Sequence, residues 1–269
     1  MSRQPDRGQG PDSGATYVFA VCGRIAPSAL TALPGLAENS PVRALPFGDL
    51  TAVVQHVDAA EFTEEAWQER LLDERELERC ARAHHQVVSA AAACGPTVPL
   101  ALATLYRTDE RACSALQQDI ERFRNALRRI DGRVELGVKV YAPTAVPPRA
   151  EPPRTPGIRD TPAPGAGRAY LERKRGLHQE REQCHTDALR TADTVDSALL
   201  VLAAAGRRLR AHGQKTSEAR GVQVLNATYL VEADRAGEFG EAVRSLQGRT
   251  GASIEMTGPW VPYSFAGEV

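Results

Sequence analysis

Cysteine and histidine side chains have the spacing best suited to chemistry in this chain. Cys80 and His84 are four positions apart, so on a helix they would share one face and could bind a metal ion together. Further candidate ligands come from a later segment: His178, Cys184 and His185. The sequence contains no compact set of four ligands, and His84 falls on an apolar stripe, where a hydrogen-bonded core histidine is the commoner outcome. We therefore expect neither a metal nor a cofactor.

A nucleophilic cysteine is the second chemical possibility. Such a residue needs a neighbouring base and an electropositive pocket that lower its pKa. Cys22, before Gly23 and Arg24, is the best placed candidate, but the sequence shows neither feature near it. The glycines at 165 and 167 end a proline-rich stretch instead of following a strand, so they do not predict a phosphate-binding loop. We predict no catalytic residue, and keep as the alternative a small-molecule enzyme with an interdomain site that uses Cys22 or the Cys80 and His84 pair.

Size and charge describe an ordinary globular chain. Its 269 residues are 42% hydrophobic and 25% charged, enough for two cores. The 33 basic and 34 acidic residues nearly balance, so the chain has no large positive charge that would attract nucleic acid. The longest apolar run, 198–205, is far shorter than the roughly 20 residues of a membrane span. We expect a cytoplasmic protein without a nucleic-acid partner or a membrane span.

A proline-rich segment predicts the domain organisation. Residues 142–167 contain eight prolines, which neither a helix nor a sheet accommodates. We expect a disordered tail, an N-terminal α+β domain, a linker and a C-terminal helical and α+β domain, at residues 1–15, 16–141, 142–167 and 168–269.

The predicted N-terminal domain has the element order β-β-α-β-α-β. Apolar and β-branched runs favour strands, and a period of three and four residues favours helices. The elements are strands at 17–22 and 50–57, a helix at 64–94, a strand at 97–106, a helix at 109–130 and a strand at 134–141. This order predicts a ferredoxin-like α/β sandwich.

The predicted C-terminal domain combines long helices with a small βαβ sheet. A helix over 168–213 carries an unbroken apolar seam: Ala188, Ala192, Val195, Leu199, Leu202, Gly206 and Leu209. The seam makes self-association a further possibility, and Gly206 could instead mark a bend or break in the helix. A strand, a helix and a strand follow at 222–232, 235–247 and 252–256. The triplet Ala-Thr-Tyr at 15–17 and 227–229 hints at a duplicated half.

The end of the chain concentrates aromatic rings. Three rings lie close together between Pro259 and the C-terminus: Trp260, Tyr263 and Phe265. Pro262 lies between the first and the second of them. The prolines predict an extended path that is not helical. Since exposed rings at a terminus promote aggregation, we expect these three rings to pack against the domains, with a surface around them that binds a partner.

Four segments resemble the gas vesicle protein F/L family. The most specific is Thr-Gly-Pro-Trp-Val-Pro-Tyr-Ser-Phe at 257–265, and the others are Val-Glu-Leu-Gly-Val-Lys-Val-Tyr at 134–141, Tyr-Leu-Glu-Arg-Lys-Arg at 170–175 and Leu-Asn-Ala-Thr-Tyr-Leu-Val at 225–231. The resemblance implies an accessory protein, not an enzyme, that binds the hydrophobic shell protein of gas vesicles and prevents its aggregation during assembly. Other accessory proteins of the vesicle are further candidate partners.

One segment departs from the family pattern. The usual Val-Pro-Leu-Arg-Phe-Gly-Thr appears here as Val-Pro-Leu-Ala-Leu-Ala-Thr at 98–104, without the arginine and the glycine. Any partner contact made by that arginine is therefore missing. We expect the partner surface on a sheet face or edge of the first domain, with help from the long helix, and name as its candidate residues Leu100, Leu102, Trp260, Tyr263 and Phe265.

Overall fold

The computed structural model forms two compact units that each combine helices with an antiparallel sheet. The first unit extends to Glu135 and resumes at Trp260, and the second runs from Leu136 to Pro259. The predicted α+β class is confirmed. The structure describes residues 14–31, 33–37, 40–58, 60, 63, 72–142, 166–210 and 222–267.

The sheet of the first unit has the strand order β2-β3-β1-β4, and β5 also pairs with β1. All of these pairs are antiparallel. Gly48 at the β2–β3 turn has a φ of 57°, a conformation that favours glycine. Strand β2 was not predicted, because Pro46 interrupts its apolar run. The strands are β1 (Gly14–Cys22), β2 (Arg43–Phe47), β3 (Leu50–Asp58), β4 (Thr97–Pro99) and β5 (Leu105–Tyr106).

Three helices accompany this sheet: α1 (Glu74–Ala92), α2 (Asp109–Gln118) and α3 (Ile120–Ile130). The Asp73 carboxylate accepts hydrogen bonds from the first turn of α1 and so fixes its start. The predicted single helix over 109–130 is two helices, because Asp119 leaves the helical conformation at φ −100° and ψ 15°. Thr108, one residue before the predicted start of this helix, is the N-cap of α2.

The apolar face of α1 covers the sheet and closes the core of the first unit. Tyr17 and Phe19 of β1 pack there with residues of β3 and α1. The fully buried side chain of Gln55 binds the backbone of two loop residues, since its amide oxygen accepts from Leu36 N at 2.7 Å and its amide nitrogen donates to Ser40 O at 2.7 Å. One buried side chain thereby satisfies backbone groups of both residues.

The predicted strand at 97–106 is interrupted. β4 ends at Pro99 and β5 begins at Leu105, with a loop between them in which Ala103 adopts a φ of 72°. This left-handed conformation cannot continue a strand. The loop nevertheless stays tied to β1, because Leu100 N donates to Phe19 O at 2.9 Å.

The sheet of the second unit has the strand order β7-β8-β6-β9. Its core lies between this sheet and the two helices. The predicted strand-helix-strand at the end of the chain corresponds to β8, α5 and β9, with β9 extending to Trp260. The elements are β6 (Arg133–Ala142), α4 (Ala166–Leu200), β7 (Ala205–Arg208), β8 (Val222–Glu232), α5 (Ala236–Thr250) and β9 (Ser253–Trp260).

The long helix is shorter than predicted. It ends at Leu200, and Gly206 lies in β7 instead of on the helix, where it pairs with Tyr229 of β8. Backbone pairing with β8 outweighs the helical spacing of the residues beyond 200. Of the predicted seam, Ala192, Val195 and Leu199 pack against the sheet of their own unit.

The proline-rich segment lies mostly outside the described residues. The elements on either side of it, β6 and α4, both contribute to the second unit. The chain passes from one unit to the other after Glu135 and again after Pro259. These positions differ from the predicted boundary at residues 142–167. Its last element, α6 (Tyr263–Ala266), belongs to the first unit.

Candidate functional site

The C-terminal turn, α6, is firmly anchored on the first unit. Phe265 is 1% exposed, and the guanidinium carbon of Arg129 lies 5.9 Å from the centre of its ring. The carboxylate of the buried Glu135 accepts hydrogen bonds from Ser264 N at 2.9 Å and from Ser264 Oγ at 2.6 Å. The prediction of a non-helical tail is wrong for this turn, because Pro262 stands just before it, where a missing N–H is no loss.

Two rings stay at the surface, one at the end of β9 and one in this turn, contrary to the expectation that all three rings pack against the domains. Trp260 is 49% exposed and Tyr263 is 39% exposed. The imidazole of His85 on α1 contacts both, with ring centres 6.0 Å away in each case, and its Nδ1 lies 3.4 Å from the Tyr263 hydroxyl. We call Trp260, Tyr263 and His85 the aromatic patch. It is a rigid surface with apolar ring faces and polar tips, the composition that suits protein contacts.

The tyrosine of the aromatic patch is uncharged at physiological pH. Burial raises the pKa of Tyr263 to about 12, so its hydroxyl group remains a neutral donor and acceptor in the physiological range. His85 also lies 3.3 Å from Ser89 Oγ through Nε2. These contacts hold the imidazole in place between the two rings.

The two predicted leucines lie on the loop that follows β4. Leu100 and Leu102 are both half-buried. The turn α6 packs against β4, the strand that immediately precedes Leu100. The C-terminal rings and the leucine loop are thus supported by one short edge strand.

The environment of Cys22 does not activate its thiol. Its thiol is buried, and Sγ lies 3.6 Å from the backbone oxygen of Thr51, to which it donates. Burial raises the pKa of Cys22 to about 11, with a smaller contribution from Cys94. The thiol is therefore protonated at neutral pH, which disfavours nucleophilic attack.

Cys80 and His84 share one face of α1, as predicted, but that face is buried in the core. His84 Nδ1 lies 2.9 Å from the Tyr17 hydroxyl, and burial lowers the pKa of His84 to about 4. Nε2 makes no hydrogen bond within the described residues, and the backbone of Leu100 offsets the shift only in part. This is a neutral core histidine.

The remaining candidate ligands do not complete a site in the part of the chain that the structure describes. His178 on α4 is exposed and lies 3.3 Å from Glu182. The side chain of His185 lies outside the described residues, and Cys184 is half-buried on α4. Within the described ranges, no group of three or more histidine, cysteine, aspartate or glutamate side chains is arranged to hold a metal ion. None of the described helices is both long and apolar enough to span a membrane.

Two residues of this site were not predicted from the sequence. Glu135 carries a signal in retrospect, since it is a charged residue within the apolar strand run 134–141. A carboxylate at such a buried position needs donors, and Ser264 supplies them. His85 carries no such signal, because its role depends on the C-terminal turn docking beside α1.

Fold and site together define an α+β protein with an ordered aromatic surface, in which the thiol and imidazole considered for chemistry are buried and unactivated. Residues 15–267 match the family described as gas vesicle synthesis protein GvpL/GvpF. The chain belongs to this family, whose members take part in gas vesicle formation. The family resemblance read from the sequence is confirmed.

Curated relatives and solved structures agree with this assignment. The chain is 38% identical over 229 residues to gas vesicle protein L from Streptomyces sp. (strain CB03234), an alignment that covers 85% of this chain and 84% of the relative. It is 28% identical over 256 residues to gas vesicle protein F of the same strain, covering 93% and 99% of the two chains.

Two crystal structures share the fold at low sequence identity. GvpF from Anabaena sp. PCC7120 superposes with a TM-score of 0.66 at 16% identity, over 96% of this chain and 98% of that one. GvpF from Microcystis aeruginosa gives 0.61 at 14% identity, over 94% and 98%.

Proposed function

We propose that this chain acts in the cytoplasm by binding the hydrophobic shell protein of gas vesicles and preventing its aggregation while the vesicle nucleates and grows. Membership of the family supports the setting. The observation that carries the proposal is the aromatic patch: Glu135 and Phe265 anchor the C-terminal turn, yet Tyr263 in the turn and Trp260 just before it stay at the surface.

The physical requirements of such a role match this patch. A protein that masks apolar surface before assembly must bind it reversibly, so the contact needs large apolar faces and few charges. A Trp and a Tyr that are already held in place lose little conformational entropy on binding. Leu100 and Leu102 extend the proposed surface, and the absence of the family's arginine from this loop makes it more apolar.

Co-expression with the shell protein tests the proposal. We expect the shell protein to co-purify with the wild-type chain and to scatter less light in its presence. The double substitution Trp260→Ala and Tyr263→Ala removes both exposed rings and should weaken binding about thirtyfold, the effect typical of central aromatic contacts. Leu102→Ala should weaken it less.

A matched control is Val201→Ala, since Val201 is 81% exposed and lies in the second unit, outside the aromatic patch. It should leave binding and scattering unchanged. The proposal fails if the wild-type chain neither binds the shell protein nor reduces its aggregation. The assignment of the binding surface to the aromatic patch is wrong if the double variant folds and still binds with wild-type affinity.

A further inference from the structure

The turn α6 depends on contacts with other elements for its orientation. It has four residues, and its N-cap, Pro262, offers no side-chain hydrogen bond. Its backbone bonds include Tyr263 N to Val261 O at 2.8 Å and the longer Phe265 N to Pro262 O at 3.4 Å. Because one helical turn is unstable by itself, the surroundings of α6 determine how it lies.

Ring burial alone does not select one orientation of this turn. Tyr263 and Phe265 are two positions apart, so their side chains point about 200° apart around the helix axis. Hydrophobic burial is non-directional, and either ring can fill an apolar site. In the structure Phe265 is buried and Tyr263 is exposed. A directional contact is needed to favour this arrangement over the reverse.

Glu135 supplies that directional contact. Its carboxylate is buried, and its two oxygens receive two donors from a single residue: Ser264 N at 2.9 Å and Ser264 Oγ at 2.6 Å. Two hydrogen bonds to one planar, charged group define a rotation as well as a position. Since Ser264 lies between the two rings in the turn, fixing its rotation determines which ring faces the core.

We propose that Glu135 is a positioning residue for the aromatic patch: it selects the rotation of α6 that buries Phe265 and presents Tyr263. Burying a carboxylate is costly, and specifying one arrangement among several is a use that such a group can have. The effect on shell-protein binding rests on the proposed function. The orientation of the turn, in contrast, can be measured on the chain by itself.

Hydrogen exchange of residues 263–267 in the full chain reports this orientation. Glu135→Leu removes both acceptors, and we expect these amides to exchange at least about tenfold faster. Glu255→Leu is the matched control, since it makes the same change at a half-buried glutamate of β9 that lies 3.4 Å from the Tyr141 hydroxyl in the second unit. It should leave the exchange of 263–267 unchanged.

Variants of Ser264 test whether Glu135 acts through this residue. Ser264→Ala keeps the N–H but loses the hydroxyl, and should speed exchange by a smaller factor of about three. Ser264→Thr keeps both donors and should retain the protection. Adding Ser264→Ala to Glu135→Leu should cause no further change, because the acceptor is already absent. If Glu135→Leu does not fold, the two Ser264 variants still decide the question.

The affinity for the shell protein should follow the orientation of the turn. We expect Glu135→Leu to weaken binding about tenfold, because a smaller fraction of the chain then presents the aromatic patch in its binding orientation. Glu255→Leu and Ser264→Thr should bind as the wild-type chain does.

Two results would overturn the inference. One is unchanged exchange of residues 263–267 in folded Glu135→Leu and Ser264→Ala proteins, which would show that ring burial alone orients the turn. The other is faster exchange with undiminished affinity, which would show that binding does not depend on this orientation. If the wild-type chain does not bind the shell protein, the proposed function fails, and the exchange data still decide whether Glu135 positions the turn.

Discussion

Each unit buries a tyrosine from an Ala-Thr-Tyr triplet on an interior strand, and the two hydroxyl groups have different partners. In the first unit, Tyr17 on β1 lies 2.9 Å from Nδ1 of His84 on α1. In the second, Tyr229 on β8 donates to Asp196 Oδ1 on α4 at 2.6 Å. Both tyrosines are fully buried. The same three-residue sequence therefore packs beside a neutral imidazole in one unit and beside a carboxylate in the other.

The two arrangements are stabilised in different ways. The Tyr17 oxygen also accepts from Ala103 N at 3.2 Å, so it keeps a partner if His84 is lost. Asp196, in contrast, is held by Arg208 Nε at 2.7 Å as well as by Tyr229, and removing it leaves both of these donors without their common acceptor. We expect the carboxylate network to be the more sensitive of the two to a single substitution.

The largest effect should come from Asp196→Ala. The substitution removes a buried carboxylate and leaves the buried Tyr229 hydroxyl without its acceptor, while Arg208 keeps only its contact with Asp193. Leaving a buried hydroxyl without its charged acceptor costs about 3 kcal/mol of unfolding free energy. Urea unfolding followed by circular dichroism measures the change.

Asp193→Ala is the matched control, because Asp193 binds the same guanidinium at 2.8 Å but is 66% exposed. An exposed ion pair contributes less than about 1 kcal/mol, so the two variants should differ clearly. Equal losses for the two variants would mean that the buried Tyr229 contact contributes nothing.

Acidification should act mainly through the network of the first unit. The folded-state pKa of His84 is about 4, below its ordinary value of 6.5, because burial disfavours the charged imidazole. The folded state therefore favours the neutral imidazole. The stability that this preference contributes is complete above pH 6.5 and is lost as the pH falls toward 4. The loss should reach about 2 kcal/mol near pH 4.5. Urea unfolding at a series of pH values checks it.

His84→Leu isolates this contribution. The variant replaces the imidazole with an apolar side chain and leaves Tyr17 hydrogen-bonded to Ala103. Its stability should be less dependent on pH between 6.5 and 4.5 than that of the wild-type chain, although carboxylates such as Asp109, whose pKa is lowered by Arg43, still titrate below that range. Identical pH profiles for the two proteins would show that His84 is not held neutral.

The Tyr17 and Tyr229 strands also show what the sequence could predict. Strands 17–22, 50–57 and 222–232 were found because their β-branched and aromatic runs are long and end at turn residues. The end of α4 was misplaced, since Leu202, Gly206 and Leu209 keep a helical spacing that local pattern cannot distinguish from a strand paired to β8. Pairing with β8, and not the local sequence pattern, determines that this segment is a strand.

The candidate site was predictable in part for the same reason. The C-terminal rings stand out in a chain with only 5% aromatic residues. Which of them would be buried depends on where the turn docks: Phe265 enters the core and Trp260 stays at the surface. The contacts of Glu135 and His85 with that turn join residues more than 120 positions apart, so no local pattern reports them.

The smallest effects should come from two left-handed backbone positions, one in each unit. Gly251 ends α5 in the second unit with a φ of 66°, and open space surrounds the position of a Cβ atom there. Ala103, which donates to Tyr17 in the first unit, has a φ of 72° where the family pattern has glycine. A non-glycine residue in this conformation costs roughly 1 kcal/mol. Ala103→Gly should therefore stabilise the chain by about 1 kcal/mol, and Gly251→Ala should destabilise it by a similar amount.

Ala101→Gly supplies the control for the first of these substitutions. Ala101 lies in the same loop but outside the left-handed region, so glycine there only increases the entropy of the unfolded chain and should not stabilise the protein. Urea unfolding of the three variants checks both signs at once. If Ala103→Gly destabilised the chain as much as Ala101→Gly, residue 103 would not be strained. The loop that carries Leu100 and Leu102 would then owe its shape to its hydrogen bonds with β1 and not to a backbone constraint at this position.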